Sequence, residues 1–241
     1  MSKTQILGVW FDNVTQAQAT GRVLELLRGE GSSAVVTPNP EMVMHARTDK
    51  SFRNVLNNAG LVVPDGIGIV LASRLLGGGL RERVAGIELI QNVLEICGGC
   101  RVFLVGGRPG VAALAAKKLK ILYPEITIVG HRHGFFGDNE EAGVVADVRA
   151  AGVDILLVGL GFPRQEKFIA KNLPSLGVKV ALGCGGSIDV FAGKVSRAPK
   201  VFQLMGLEWL YRLVRQPTRF SRMLCLPKFV LCIIREVIKK T

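Results

Sequence analysis

One carboxylate stands where an apolar run stops, in Leu61-Val-Val-Pro-Asp65-Gly66. Pro64 fixes the backbone before it and Gly66 lets the chain turn away after it, so the side chain is carried on a rigid turn. An acid there caps a helix starting near Ile67 or takes part in proton transfer, and the local sequence by itself favours the cap. Comparable turns follow other apolar runs: Thr37-Pro-Asn39-Pro, Gly106-Gly107-Arg108-Pro109-Gly110, Gly159-Leu-Gly161-Phe-Pro163-Arg-Gln165-Glu166 and Gly183-Cys-Gly185-Gly186-Ser-Ile-Asp189. Glycine turns that open helices bare backbone N–H groups, where phosphate binds well. A nucleotide-type ligand is therefore expected. Each loop alone is ordinary turn chemistry; their joint appearance at one sheet edge is the signal. Gly159-Leu-Gly161 lacks the third glycine of a dinucleotide fingerprint, and no turn ends in Gly-Lys-Ser/Thr, which argues against a dinucleotide and a P-loop.

Seven apolar runs, at 6–11, 34–38, 60–65, 101–107, 126–130, 154–161 and 178–186, alternate with segments of helical period. Continuous rather than alternating apolar strands separated by helices predict an α/β fold, a mainly parallel Rossmann-like sheet with helices on both faces. At 241 residues the chain suits one main domain. We divide it into a core, residues 1–194, and a basic amphipathic helical appendage, residues 195–241. The net charge is +12 and is concentrated late: from Lys194 onward, eleven lysines and arginines face only Glu208 and Glu236. Such a tail suits nucleic acid, an anionic membrane or a phosphorylated ligand, and charge does not choose among them.

Five cysteines and an opening, MSKTQILGVWFD, without an apolar signal-peptide core make a reducing cytosol the expected setting. Cys97-Gly-Gly-Cys100 follows a helical run and precedes a strand, so its glycines read as a helix end rather than a redox turn. His45, His131 and His133 do not complete a metal-ligand set.

Thr37-Pro-Asn39-Pro-Glu41, Pro64-Asp65-Gly66, Glu82-Arg83-Val-Ala-Gly86, Gly161-Phe-Pro-Arg-Gln165-Glu166, Gly185-Gly186-Ser-Ile-Asp189, Arg197-Ala-Pro199 and Glu208-Trp209-Leu-Tyr-Arg212-Leu run nearly end to end. Together they resemble the WecG/TagA/CpsF family of bacterial glycosyltransferases. Ala85 stands where many relatives carry Thr or Ser. The resemblance is greatest to the wall teichoic acid branch, ahead of the enterobacterial-antigen and capsule branches. It implies inverting transfer of N-acetylmannosamine from UDP-N-acetylmannosamine to the 4-hydroxyl of polyprenyl-diphosphate-linked N-acetylglucosamine, giving a β-1,4 linkage. No cofactor is implied beyond the UDP-sugar donor as substrate.

In that scheme Asp65 becomes the base for the acceptor hydroxyl. Arg212, Arg219 and Arg222 sit where the family pattern places its arginines and would neutralise phosphate charge, and Arg83, next to the Gly-Gly-Gly at 77–79, would hold a phosphate of the acceptor or donor. If helical, Arg212, Arg215, Arg219 and Arg222 share one face, with Pro217 a kink. Thr37 and Asn39 suit the sugar, Gln165 a ligand contact and Asp189 the uridine, while Gly106, Gly107, Gly161 and Gly186 are the backbone positions at the ligand. No Asp-x-Asp motif is present, so catalysis without a metal is expected.

The acceptor's lipid points to the stretch from Leu207 to Lys240, which interleaves Trp209, Tyr211, Phe220, Leu224, Phe229, Leu231 and Ile233 with basic residues. No uncharged run reaches the roughly 18 residues needed to span a bilayer. The expected setting is cytoplasmic, peripherally on the inner face of the cell membrane, with apolar side chains dipping in and cations on anionic headgroups. The alternative is an amphipathic helix packed on the core or on a second copy of the chain. An oxidoreductase or a nucleic-acid-binding module would leave the ordered strand-end residues unexplained, and no nucleic-acid partner is expected.

Overall fold

The computed structural model describes residues 2–215, 217 and 220–240, apart from the side chains of Leu204, Arg212, Ser221 and Lys240. The first apolar run, expected as one strand, folds back on itself. β1 (Lys3–Ile6) pairs antiparallel with β2 (Val9–Asp12), and the two residues between them, Leu7 and Gly8, both have positive φ, 49° and 92°. A two-residue loop of that kind matches the twist of its strands. Ile6, Val9 and Phe11 are buried on one side. The buried Asp12 carboxylate accepts from Val62 N–H at 2.9 Å, tying the hairpin to the main sheet.

That sheet holds β3 (Ser33–Val36), β4 (Leu61–Val62), β5 (Arg101–Gly106), β6 (Thr127–Arg132), β7 (Ile155–Gly159) and β8 (Val180–Gly183), in the order β4-β3-β8-β7-β5-β6. All neighbouring pairs are parallel. Successive strand residues face opposite layers, which is why the runs are apolar throughout. Val102, Leu104, Ile155 and Leu157 pack with α1 (Gln16–Arg28), α5 (Gly86–Ile96), α6 (Val111–Leu122) and α9 (Ser187–Phe191). Phe103, Val105, Leu156 and Val158 pack with α7 (Asp138–Ala150) and α8 (Arg164–Leu176). A third cluster gathers the hairpin, Val36 and Val62 with α2 (Pro40–Thr48), α3 (Lys50–Asn57) and α4 (Ile67–Leu75). From β3 the chain steps outward to β4, then crosses to β5 and steps the other way to β6; β7 and β8 fill the middle. The carboxyl edge around such a reversal is where these sheets bind ligands.

The chain ends in α10 (Lys200–Leu204), α11 (Glu208–Arg215), α12 (Phe220–Met223) and α13 (Cys225–Lys240). Arg215 and Arg222, which one continuous helix would have put on a common face, lie in separate helices: α11 is Glu208–Arg215 and Arg222 is in α12. α13 rests on the third cluster through Phe229 and Ile233, both buried beside Met42, Val43 and Ala46 of α2. Val237 packs against the same cluster, while Val230, Leu231, Ile234 and Ile238 remain exposed. α13 thus combines the core-packed alternative with an uncovered apolar face.

Candidate active site

The turns after β3, β4, β7 and β8 converge on one cleft of about 820 Å³. Thr37, Asn39, Asp65, Arg83, Gly161, Gln165, Gly186 and Asp189 all line it, and Glu208, Trp209 and Arg222 bring the C-terminal segment to its wall. A second cavity of about 640 Å³ adjoins it, sharing Gly159, Leu160 and Asp189 and adding Gly107, Arg108 and Phe135. Of the glycines singled out in the sequence, Gly106 lines neither cavity. It lies against β7, where an added Cβ would fall 2.5 Å from the Gly159 carbonyl oxygen, so its role is close strand packing.

Asp65 is half-buried on a turn strapped from both sides. Its N–H donates to the Pro38 carbonyl at 3.1 Å, and Val84 N–H donates to the Pro64 carbonyl at 2.9 Å. The N-cap of α4 is Gly66, with φ 97°, so Asp65 stands one residue ahead of the position the cap reading assigned to it. Thr37 lies against the first residue of α5: a Cβ on Gly86 would sit 3.1 Å from Thr37 Oγ1. Ala85 is the N-cap of α5 and has no hydroxyl to offer its first N–H groups. Asn39 caps α2, its Oδ1 accepting from Met42 N–H at 3.1 Å. Its amide nitrogen makes no hydrogen bond to another described residue, and the side chain borders the cleft.

Gln165 is 5% exposed and has both amide ends engaged. Oε1 accepts from Gly185 N–H at 2.9 Å, and Nε2 donates to Glu166 Oε1 at 2.7 Å. These bonds let Gln165 shape the Gly185 turn while its side chain lines the cleft. Glu166 is buried behind it, and Oε2 has no hydrogen-bond partner among the described residues. Burial pushes its carboxyl from 4.5 up to about 6, against the opposing hydrogen bond from Gln165. A carboxyl whose pKa rises on folding contributes stability that is complete below about 4.5 and is lost as pH rises through about 6. Glu166→Gln keeps an oxygen for Gln165 and removes the buried charge. We expect it to be about 1–2 kcal/mol more stable than the wild type at neutral pH, with the gain gone near pH 4, measured by urea unfolding.

The cations are already paired. Arg83 Nη1 donates to Glu208 Oε2 at 2.6 Å, Arg197 Nε donates to Glu208 Oε1 at 3.2 Å, and Glu88 closes the ring by pairing with both arginines. Burial pushes the Glu208 carboxyl up, but the hydrogen bond and charge of Arg83, with Arg197 behind, hold it below the usual range. This ring joins α5 and the loop before it to the first turn of α11. Arg222 grips Glu41 with two parallel bonds, Nε to Oε1 at 2.7 Å and Nη2 to Oε2 at 3.0 Å. Arg219 lies outside the described residues, as does the side chain of Arg212, whose backbone belongs to α11.

In the second cavity Arg164 donates to the carbonyls of Gly134 and Phe136, at 2.9 and 2.6 Å, and stacks over the Phe136 ring. That fixes the loop after β6 and leaves Phe135 63% exposed at the cavity wall. Neither Phe135 nor Glu41 was assigned a role from sequence. An aromatic set among glycines after a strand end is the signal for the first; nothing local signals the second. Cys97 is the C-cap of α5, a helix end as expected, and burial pushes its thiol up to about 12. Among the described residues no group of three or more His, Cys, Asp or Glu side chains comes together.

A parallel sheet with a strapped carboxylate, glycine turns and arginines at its carboxyl edge has the layout of an α/β protein that binds its ligand at that edge. The chain belongs to the glycosyl transferase WecG/TagA/CpsF family, whose profile matches residues 4–241. It is similar to the N-acetylglucosaminyldiphosphoundecaprenol N-acetyl-beta-D-mannosaminyltransferase of Bacillus spizizenii, with 40% identity over 205 residues covering 84% of this chain and 79% of the relative. Enzymes of the same name from Bacillus subtilis (36% over 206 residues, 85% and 80% of the two chains) and Staphylococcus aureus (36% over 233 residues, 95% and 91%) are also similar.

Proposed function

We propose that this glycosyltransferase moves N-acetylmannosamine from UDP-N-acetylmannosamine to the 4-hydroxyl of N-acetylglucosamine carried on a polyprenyl diphosphate, with inversion. The observation that carries this reading is the place of Asp65 in the cleft that Thr37, Asn39 and the β8 glycine turn also line. As the acceptor oxygen bonds to the anomeric carbon, its proton passes to the Asp65 carboxylate. The bond from that carbon to the β-phosphate oxygen breaks, and UDP leaves with the electron pair. Thr37 and the Asn39 amide nitrogen suit the sugar. The second cavity suits the uridine, with the Phe135 ring for stacking and Asp189 at the shared wall.

Arg222, with Nη1 not engaged by Glu41, meets the leaving diphosphate, and Arg212 and Arg219 are proposed to join it; this assignment requires no divalent metal. Arg83, placed by Glu208, faces the same negative charge. Among the described residues no helix is long and apolar enough to cross a membrane. We place the exposed apolar side of α13 on the anionic inner leaflet, with Lys228, Arg235 and Lys239 as its cations.

The test is incubation of the protein with UDP-N-acetylmannosamine and a short-chain N-acetylglucosamine diphospholipid. Disaccharide and UDP are expected in equal amounts, undiminished by a chelator, with little product from UDP-N-acetylglucosamine. Absence of transfer, or preference for the other sugar, would contradict the assignment.

A further inference from the structure

The cleft is not uniform along its length. Beside its polar residues it has an apolar lining: Ile67, Leu71 and Leu75, at i, i+4 and i+8 of α4, and Leu226, Val230 and Ile233, on one stripe of α13, which touches α4. Two features set this limb apart from core packing. It is anchored on buried Ile233, 2% exposed, yet its other side chains are open: Leu71 is 48%, Leu75 62% and Val230 53% exposed. Large aliphatic side chains facing one another across a gap continuous with a catalytic floor leave apolar area that a ligand can remove from water.

We infer that this limb seats the first isoprene units of the acceptor's lipid, so that the enzyme reads the carrier as well as the sugar. The inference rests on the proposed reaction and adds a subsite to it. Continuity selects the occupant. The limb is an extension of the same cavity that Asp65 lines, so whatever is bonded to the acceptor's diphosphate has an apolar exit along it. Arg222 and Met223, consecutive residues of α12, both line the cleft, so a phosphate-compatible side chain and a hydrocarbon-compatible one stand next to each other. At the far side Val230 also belongs to the exposed apolar run of Val230, Leu231, Ile234 and Ile238 on α13, which gives the chain an uninterrupted path to a bilayer. A branched, flexible, uncharged chain fits a slot with no polar partner along its walls; a peptide would bring N–H and C=O groups with nothing to bond.

The experiment separates this subsite from membrane binding by omitting the membrane. Full-length protein is given UDP-N-acetylmannosamine and methyl, geranyl or farnesyl diphosphate esters of N-acetylglucosamine, below micelle-forming concentration and without vesicles. For the wild type, the acceptor KM is expected to fall roughly ten-fold or more from the methyl to the farnesyl ester. In Leu71→Gln/Leu75→Gln that gain is expected to vanish; both side chains are partly exposed, so the fold tolerates the change. Ile121→Gln, a comparable exchange on the exposed face of α6, should keep the gain. Turnover with equal KM for the three esters, or a full gain retained in the double variant, overturns the subsite alone. No turnover with any ester overturns the reaction and the subsite together.

Discussion

Asp65→Asn is expected to lower kcat by about a hundred- to ten-thousand-fold, the usual range for loss of a general base. Asparagine keeps the shape of the side chain and an oxygen that can accept a hydrogen bond, so the strap from Pro38 and Val84 is undisturbed. The capacity to take a proton is lost. UDP affinity should stay near that of the wild type, because the uridine is assigned to the neighbouring cavity. Steady-state kinetics together with UDP binding by calorimetry check both halves. Turnover near the wild-type rate would assign Asp65 to the turn alone.

The second large effect is expected from ending the chain at Lys194. This removes Glu208, Trp209, Arg222 and the α13 side of the cleft, and it leaves Arg83 without the carboxylate that places it. Transfer should be abolished. Every strand and α1 through α9 precede the cut, so far-UV circular dichroism should show the sheet and its helices retained. Stability should fall, because α13 covers part of the third core cluster. Burial of side chains like Phe229 and Ile233 is worth about 1.5–3 kcal/mol each, and a lower melting temperature is the expected sign. Unchanged turnover in the truncated protein would show that the C-terminal cations are dispensable.

The parallel sheet was legible because strands buried on both faces need unbroken apolar runs, and Val102–Val105 or Ile155–Val158 can hardly be read otherwise. The hairpin was not, because Ile6–Phe11 is also an apolar run, and only the Leu7-Gly8 turn within it betrays the reversal. The residues gathered at the cleft were legible for a related reason: in such a fold each strand's end is placed by the strand. What those residues bond to was not. Arg222 meets Glu41 across 181 positions and Arg83 meets Glu208 across 125, pairings that depend on how helices dock rather than on any local pattern. Gln165 shows the same limit. Its place at the cleft followed from a turn at a helix start, but its bond to Gly185, 20 positions away and brought near by the sheet, did not.

Paired arginines also bear on how the leaving group is met. A guanidinium held in a carboxylate fork is fixed in place and partly neutralised, so Arg222 contributes direction and its remaining N–H donors more than net charge. In the proposed reaction Glu41 is then the positioning residue for Arg222, and Glu208 for Arg83.

A crystal structure of the protein with UDP tests the central claim most directly. The account predicts the uracil against Phe135, the ribose beside Asp189, and the diphosphate entering the cleft toward Arg222, with the Asp65 carboxylate across the space left for the sugar. UDP bound with its diphosphate away from that cleft, or with Asp65 remote from the sugar position, would contradict it.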